Sequence, residues 1–286
     1  MRYLKFILAI VLTLLLLVIA RKMSSREPEL IEVTDSQIKL SHTTVTEKVG
    51  PGEVRIEAKL TAPESLDKYI LNLYYKIGKE SAEYARTKMV LATGTLDRFS
   101  ANLPSLPKGK RIYYYLSLTD SQGKTILTLP EKINLLNDPL LVKFKGKVAA
   151  PILAAHIWAM FGSIFFVFLV LFYSLQILKG KDSLRNLSIS TMLVTILSFL
   201  GGVPLGILVT NQTFGEIWGG FPVFTDITDT KTSILIFYWV ILLFLMKGSA
   251  FKKDKILNLL KDKTLAFFGI LGFLLTLMIY LIPHSI

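Results

Sequence analysis

Two histidines are the side chains of this sequence best suited to hold a cofactor. His156 lies about five residues into an apolar run that covers 151–178, and His284 follows the apolar run 264–282. Neutral imidazoles on two helices are the usual axial ligands of a b-type haem in a helical bundle. A haem or quinone site therefore predicts that the two side chains lie close together. The structural alternative is a hydrogen bond from His156 to a backbone carbonyl and a solvated His284.

A second candidate site lies between the third and fourth apolar runs. The segment 214–232 is rich in glycine, aromatic residues and carboxylates, a composition that is unusual for a simple connector. Aromatic side chains suit a membrane–water interface, and an aspartate before a helix caps its free N–H groups. The carboxylate spacing matches no metal-binding motif. The segment predicts either a helix cap or a loop that binds a partner or a ligand, with these candidate residues: Trp218, Phe221, Asp226, Asp229 and Lys231.

Five apolar runs must position these residues. They cover 4–20, 151–178, 187–209, 231–247 and 264–282. About 20 apolar residues are needed to cross the roughly 30 Å hydrocarbon core of a bilayer. The pattern predicts an α+β membrane protein. Its expected parts are a transmembrane signal-anchor helix (1–23), an extracytoplasmic all-β sandwich (24–148) and a four-helix transmembrane bundle (149–286).

The formal net charge of +12 is concentrated between the apolar runs. Lysine and arginine cluster at 179–185 and 247–263, whereas 211–231 contains three carboxylates and one lysine. Cytoplasmic loops of membrane proteins carry the excess of basic residues. The charges therefore predict a multi-pass protein of the inner (plasma) membrane, with a cytoplasmic N-terminus and with the sandwich and the C-terminus outside. Charge placed in this way also argues against a nucleic-acid partner.

The first apolar run has the features of an uncleaved signal anchor. It begins with basic residues and has an apolar centre, but its exit, Val18–Lys22, lacks a small-x-small cleavage site. The chain has no cysteine, which excludes disulfides, thiolate metal sites and cysteine nucleophiles.

Residues 50–135 show the period-two pattern of β-strands. Val54, Ile56, Ala58 and Leu60 alternate with charged residues, and turn signals such as Pro51-Gly52 separate such stretches. Short alternating strands with regular turns indicate an all-β sandwich.

This stretch resembles an immunoglobulin-like or fibronectin type III-like domain of bacterial surface proteins. The motifs that carry the resemblance are Leu73-Tyr74-Tyr75-Lys76, Phe99–Pro104, Pro107–Gly109, Tyr113–Tyr115 and Thr119–Gly123. The apolar half of the chain carries no comparable motif. The resemblance implies a protein-binding module or a plain spacer, and no particular chemistry, because such sandwiches host many functions.

Ionisable side chains are almost absent from the apolar cores. His156 is the one such residue in the second run, and the apolar cores of the third, fourth and fifth runs, inside the terminal Lys231 and Lys247 of the fourth, have none. Proton pumps, ion-coupled transporters and intramembrane proteases need such groups at depth. We therefore expect a non-enzymatic membrane subunit or scaffold that presents the sandwich and the 214–232 segment to a partner protein at the outer face. The alternative is an electron-transfer subunit that binds one b-type haem or a quinone through His156 and His284. The expected partners are the lipid bilayer and other membrane or extracytoplasmic subunits.

Overall fold

The computed structural model of the chain describes residues 3–24, 27–81, 83–131, 140–224, 226–252 and 254–282. His284 and the last residues of the sandwich-like stretch, 132–135, lie outside these ranges. The chain forms two compact units. The helical unit comprises Met1–Ser25, Val148–Gln212 and Glu216–Ile286, and the β-domain comprises Arg26–Lys147 with Thr213–Gly215.

Strands account for most of the β-domain. They are β1 (Leu30–Asp35), β2 (Ile38–Thr43), β3 (Glu47–Val49), β4 (Val54–Thr61), β5 (Tyr69–Ile77), β6 (Ala85–Lys88), β7 (Val90–Leu91), β8 (Arg98–Leu103), β9 (Arg111–Asp120), β10 (Thr125–Leu129) and β11 (Leu140–Lys145). In β4, buried and exposed residues alternate without exception, as the sequence pattern predicts.

The strands form two sheets that share one hydrophobic core. The first sheet has the order β1-β2-β4-β8-β7, and the second has the order β3-β11-β9-β5-β6, with β10 also paired to β9. All pairs are antiparallel except β3 and β11. Leu60 of the first sheet and Leu73 and Leu116 of the second are fully buried in this core. Each sheet therefore buries one face and leaves the other outward.

The helical unit contains α1 (Leu4–Ser24), α2 (Ala150–Leu178), α3 (Leu184–Leu200), α4 (Gly206–Phe214), α5 (Ile227–Leu245) and α6 (Asp262–Leu281). A π-helical turn, Gly201–Leu205, joins α3 to α4, so that Leu184–Phe214 forms one span. Among the described residues, five helical segments are long and apolar enough to cross a membrane.

The helix bounds differ from the apolar runs at several ends, among them the end of α1, which reaches Ser24. The third span begins and ends beyond the predicted 187–209, because its polar flanks continue the helix. The fourth begins at Ile227, four residues before the predicted start, because Asp226 caps it there. The π-turn surrounds Pro204, which lacks the N–H that an α-helix needs and whose ring clashes with the carbonyl four residues earlier.

Helix α2 is at the centre of the bundle. It packs against α1, α3 and α6, and α5 packs against α3 and α6. Close approach depends on small residues: a Cβ added to Gly272 of α6 would lie 2.8 Å from the ring of Trp239. Ala9 and Leu16 of α1 are buried against this core. Helix α1 therefore packs onto α2 and shares the core of the helical unit.

Candidate functional site

Basic residues gather at one end of the bundle, which we call the lysine end. It contains the start of α1, the α2–α3 connection and the α5–α6 connection. The ammonium of Lys5 lies 4.0 Å from the ring centre of Tyr173, and Lys255 pairs with Asp182 at 2.7 Å. The guanidinium of Arg185 donates to the carbonyl of Ala250 at 2.7 Å, which ties α3 to the α5–α6 connection.

The 214–232 segment lies at the opposite end, which we call the Asp229 end. Asp226 is the N-cap of α5: its carboxylate accepts from the N–H groups of Thr228 at 2.6 Å and Asp229 at 3.1 Å. The first N–H groups of a helix have no partner within the helix, and an aspartate side chain supplies one. The structure thus shows the capping role that the sequence offered as one alternative.

Asp229 holds the preceding loop onto the first turn of α5. The residue is 9% exposed, and its carboxylate accepts from the Gly219 N–H at 2.8 Å. Phe221 donates its N–H to the hydroxyl of Ser233 at 3.3 Å. The Trp218 indole N–H donates to the Phe221 carbonyl at 3.0 Å. These bonds tie the loop residues Trp218 and Phe221 to the start of α5, where Asp226 and Asp229 lie.

Lys231 has a different partner from the rest of this set. Its ammonium donates to the carbonyl of Ile282, just after α6, at 3.2 Å, and the side chain is 7% exposed. A cation at the C-terminal end of a helix satisfies free carbonyls and favours the negative end of the helix dipole. Lys231 therefore joins α5 to α6.

The side of the loop that does not bond to α5 is apolar. Its exposed large side chains are Ile217, Phe221, Val223 and Phe224. Phe221 packs edge-on against Phe224, with ring centres 5.7 Å apart. The polar groups of the loop thus point to α5, while several of its apolar side chains stay uncovered within the described chain. Such a surface suits a membrane interface or a partner protein.

His156 bonds to the neighbouring span. Its Nδ1 lies 2.9 Å from the carbonyl oxygen of Gly201, so Nδ1 carries the proton and donates it. The other ring nitrogen, Nε2, then holds a lone pair. The second span and the turn at Gly201 pack closely beside this bond, since a Cβ added to Gly201 would lie 2.7 Å from the sulfur of Met160. His284 lies outside the described residues, so its proximity to His156 stays a prediction.

A buried polar chain crosses the core of the β-domain. His42 Nδ1–H donates to the Glu57 carbonyl at 2.6 Å, and the Tyr114 hydroxyl donates to His42 Nε2 at 2.8 Å. The Val45 N–H reaches the same hydroxyl oxygen at 3.4 Å. Burial lowers the pKa of His42, although the bond to Glu57 opposes this, and burial raises the pKa of Tyr114. The chain therefore ties the first sheet to the second.

Sequence reasoning missed this pair of residues. The available signal was the alternation Ile38, Leu40, His42, which places the imidazole on the inward side of β2. Beside it lies a cavity of about 440 Å³, lined by both signs of charge; its charged residues are Glu32, Arg55, Glu57, Lys59 and Arg98. The ladder between β2 and β4 ends at Ser41, and the imidazole bonds the Glu57 carbonyl just beyond it.

Within the ranges that the structure describes, no group of three or more histidine or carboxylate side chains is placed to hold a metal ion. No protein-family model matches the sequence, and a search of curated proteins found no relative.

Proposed function

We propose that the chain is a non-enzymatic integral membrane subunit that presents two parts to a partner protein: its β-domain and the 215–226 loop, the part of the 214–232 segment that precedes α5. The observation that carries this proposal is the use of ionisable side chains in the bundle. Arg185, Asp229 and Lys231 each bond to backbone groups of a neighbouring segment. These groups act as structural ties between segments, and the exposed loop and β-domain surfaces are what the chain offers to others.

The charge distribution supports one orientation in the membrane. Lys179, Lys181, Lys247, Lys252 and Lys255 belong to the lysine end, whereas Glu216, Asp226 and Asp229 belong to the opposite end. Under the positive-inside rule, the lysine end is cytoplasmic. The β-domain follows α1 and precedes α2, so it lies at the extracytoplasmic face in this arrangement, together with the 215–226 loop.

The strand order supports an immunoglobulin-like assignment for the β-domain. Immunoglobulin domains place strands A, B, E and D in one sheet and C, F and G in the other. Here β2-β4-β8-β7 follows the first order, and β11-β9-β5 follows the second as G-F-C. Domains of this class commonly act as binding or spacing modules, which fits a presenting role.

Site-specific photo-crosslinking in cells tests this function. A benzophenone amino acid replaces Leu96 in the β-domain or Phe224 in the loop of the full-length chain. Ile256, at the lysine end, is the matched control, because it is 89% exposed like Leu96. We expect the same discrete protein adduct from at least one of the first two positions, and its absence from position 256. No adduct from either position, or equal adducts from all three, would refute the proposal.

One observation favours the electron-transfer alternative. A metal-bound histidine commonly donates its second ring N–H to a carbonyl, as His156 does toward Gly201. The Tyr280 hydroxyl of α6 donates to the Met160 carbonyl of α2, which marks a contact between the two helices. In the sequence, His156 comes four residues before Met160, and His284 comes four residues after Tyr280. His156 thus fits one axial ligand of a haem, which would supply one-electron chemistry. An oxidised-minus-reduced visible spectrum of the purified protein and of His156→Ala tests whether a haem is bound through His156. A featureless wild-type spectrum rejects the haem.

A further inference from the structure

The outward side of the second sheet carries a cluster of tyrosines. The rings of Tyr74 and Tyr115 stack with centres 4.8 Å apart and planes 2° apart. Tyr84 packs edge-on against Tyr115 at 5.1 Å, and the Lys76 ammonium lies 5.1 Å from the centre of the Tyr84 ring. We call this side of the sheet the tyrosine face.

The strand register identifies the other residues of the tyrosine face. Leu73 and Leu116 are paired and point into the core, so the alternate pairs on β5, β6, β9 and β11 point outward. The outward cations on these strands are Lys76, Arg86, Lys88, Arg111, Lys143 and Lys145. The outward positions of the same four strands include no carboxylate. Glu47, on the edge strand β3, pairs with Lys145.

The first sheet of the same domain shows the opposite arrangement. Three of its four outward lysines and arginines form ion pairs with carboxylates: Lys39 with Glu32 at 2.7 Å, Arg55 with Glu57 at 2.9 Å and Lys59 with Asp97 at 3.1 Å. Like charges on adjacent strands repel and are costly without counter-charges. The first sheet thus carries counter-charges next to its cations, whereas Lys76, Arg86, Lys88 and Arg111 of the tyrosine face lie on described strands whose outward positions carry no carboxylate.

One of the cations is held in place by a buried amide. Arg86 donates its Nε–H to the side-chain oxygen of Asn72 at 3.1 Å, and Asn72, which occupies an outward position of β5 on the same face, is fully buried. Lys76 is held over the Tyr84 ring. Ordered cations lose less conformational entropy when they bind a carboxylate than free side chains do. The positions of Arg86 and Lys76 are therefore fixed before binding, which favours a specific anionic ligand over general attraction to anions.

We propose that the tyrosine face binds an acidic segment of a partner protein. Tyrosine and arginine are the residues that dominate binding energy at protein interfaces, and complementary charge selects and steers the partner. Lipid headgroups or a polyanion would use the cations alone, so the tyrosine cluster favours a protein. The proposal rests on the presenting role proposed above and specifies which surface performs it.

Crosslinking from the two sheets of the full-length chain tests the proposal. The benzophenone residue replaces Lys88 on the tyrosine face or Thr34 on the outward side of the first sheet. We expect an adduct from position 88 and none from position 34, and mass spectrometry should map it to a segment rich in Asp and Glu. Arg86→Glu should reduce the adduct about tenfold or more. Arg98→Glu, the matched change on the first sheet, should leave it unchanged.

A second variant and a charge exchange separate specific binding from general attraction to anions. Tyr115→Ala, checked for folding by circular dichroism, should also weaken the adduct about tenfold. Arginines in place of the mapped carboxylates should restore binding to Arg86→Glu. Equal crosslinking in wild type and Tyr115→Ala overturns the proposal, as does a mapped segment without carboxylates.

Other occupants give different results. Crosslinking of one copy of the chain to another assigns the face to self-association. Flotation with phosphatidylglycerol vesicles, lost in Arg86→Glu while no protein adduct forms, assigns it to lipid. An adduct from position 34 alone overturns this inference but keeps the presenting function. Failure of both positions, and of Leu96 and Phe224, removes the presenting function itself.

Discussion

The indole N–H of Trp239 on α5 lies 3.2 Å from the hydroxyl oxygen of Thr276 on α6. That hydroxyl in turn donates to the Gly272 carbonyl at 2.7 Å. Trp239 is fully buried at the junction of α5 and α6. A tryptophan of this size can be buried in the bundle because its one polar atom finds an acceptor on the facing helix.

Removal of that acceptor should destabilise the bundle. Thr276→Val keeps the shape of the side chain but leaves the Trp239 N–H unpaired, which should cost about 1–3 kcal/mol. The midpoint of thermal unfolding in detergent, followed by size-exclusion chromatography, measures the loss. Trp239→Phe removes the donor, so adding Thr276→Val to it should cost little. Additive losses in the double variant would contradict this coupling.

Gly272 should not tolerate a methyl group. An added Cβ would lie 2.6 Å from the Tyr238 ring and 2.8 Å from the Trp239 ring, and both rings are large. Gly272→Ala should therefore lower stability by about 1–3 kcal/mol through overpacking. Gly162→Ala is the matched control, because its Cβ would meet only the Leu197 methyl at 3.4 Å. Equal thermal midpoints for the two variants would show that α6 moves to accommodate the methyl.

Local patterns predicted most of the elements and few of the contacts between them. The alternation in 54–60 and the apolar run 151–178 are visible in neighbouring residues, and β4 and α2 lie there. The Lys231–Ile282 and His42–Tyr114 bonds join residues 51 and 72 positions apart. Such pairs depend on the packing of helices and sheets, which no local period encodes. Two contacts were among the predicted alternatives: the helix cap, which acts over three residues and is made by Asp226, and the hydrogen bond from His156 to a backbone carbonyl.

The β-domain should lose stability in mild acid through His42. Burial lowers its pKa in the folded state, so the folded domain favours neutral imidazole. The unfolded chain, with an ordinary pKa of about 6.5, gains protons first as the pH falls. The stabilisation is complete above that pH and is lost as the pH falls toward the folded-state pKa. Protonation also removes the Nε2 lone pair that accepts from Tyr114.

Hydrogen exchange of the β9 amides in the full-length protein measures this effect between pH 7.5 and 5.5, after correction for intrinsic exchange rates. In wild type the free energy of opening should fall across that window, and in His42→Leu this fall should be largely absent. Tyr114→Phe is the control, because it removes the hydroxyl and keeps the imidazole. An identical fall in wild type and His42→Leu would assign the effect to other groups.

Asp229 and Asp226 should contribute separately to the order of the 215–226 loop. Asp229→Leu removes the acceptor of the Gly219 N–H, so the exchange of that amide should accelerate about tenfold, as expected for a lost hydrogen bond to a charged group. Asp226→Ala removes the cap of α5 and should cost about 1 kcal/mol of stability. Asp254→Ala, a similar change at the lysine end, should leave Gly219 exchange unchanged. Unchanged exchange in Asp229→Leu would show that the loop is held by its apolar contacts.

Labelling of single introduced cysteines can measure the proposed orientation in the membrane, because the chain has no cysteine of its own. Thr34→Cys in β1 and Phe224→Cys in the loop should react with a membrane-impermeant maleimide in intact cells. Ile256→Cys should react only after the membrane is permeabilised, since the positive-inside rule places the lysine end in the cytoplasm. All three side chains are exposed, so differences in labelling report the side of the membrane rather than burial. Labelling of position 256 alone in intact cells would invert the orientation and place the β-domain in the cytoplasm.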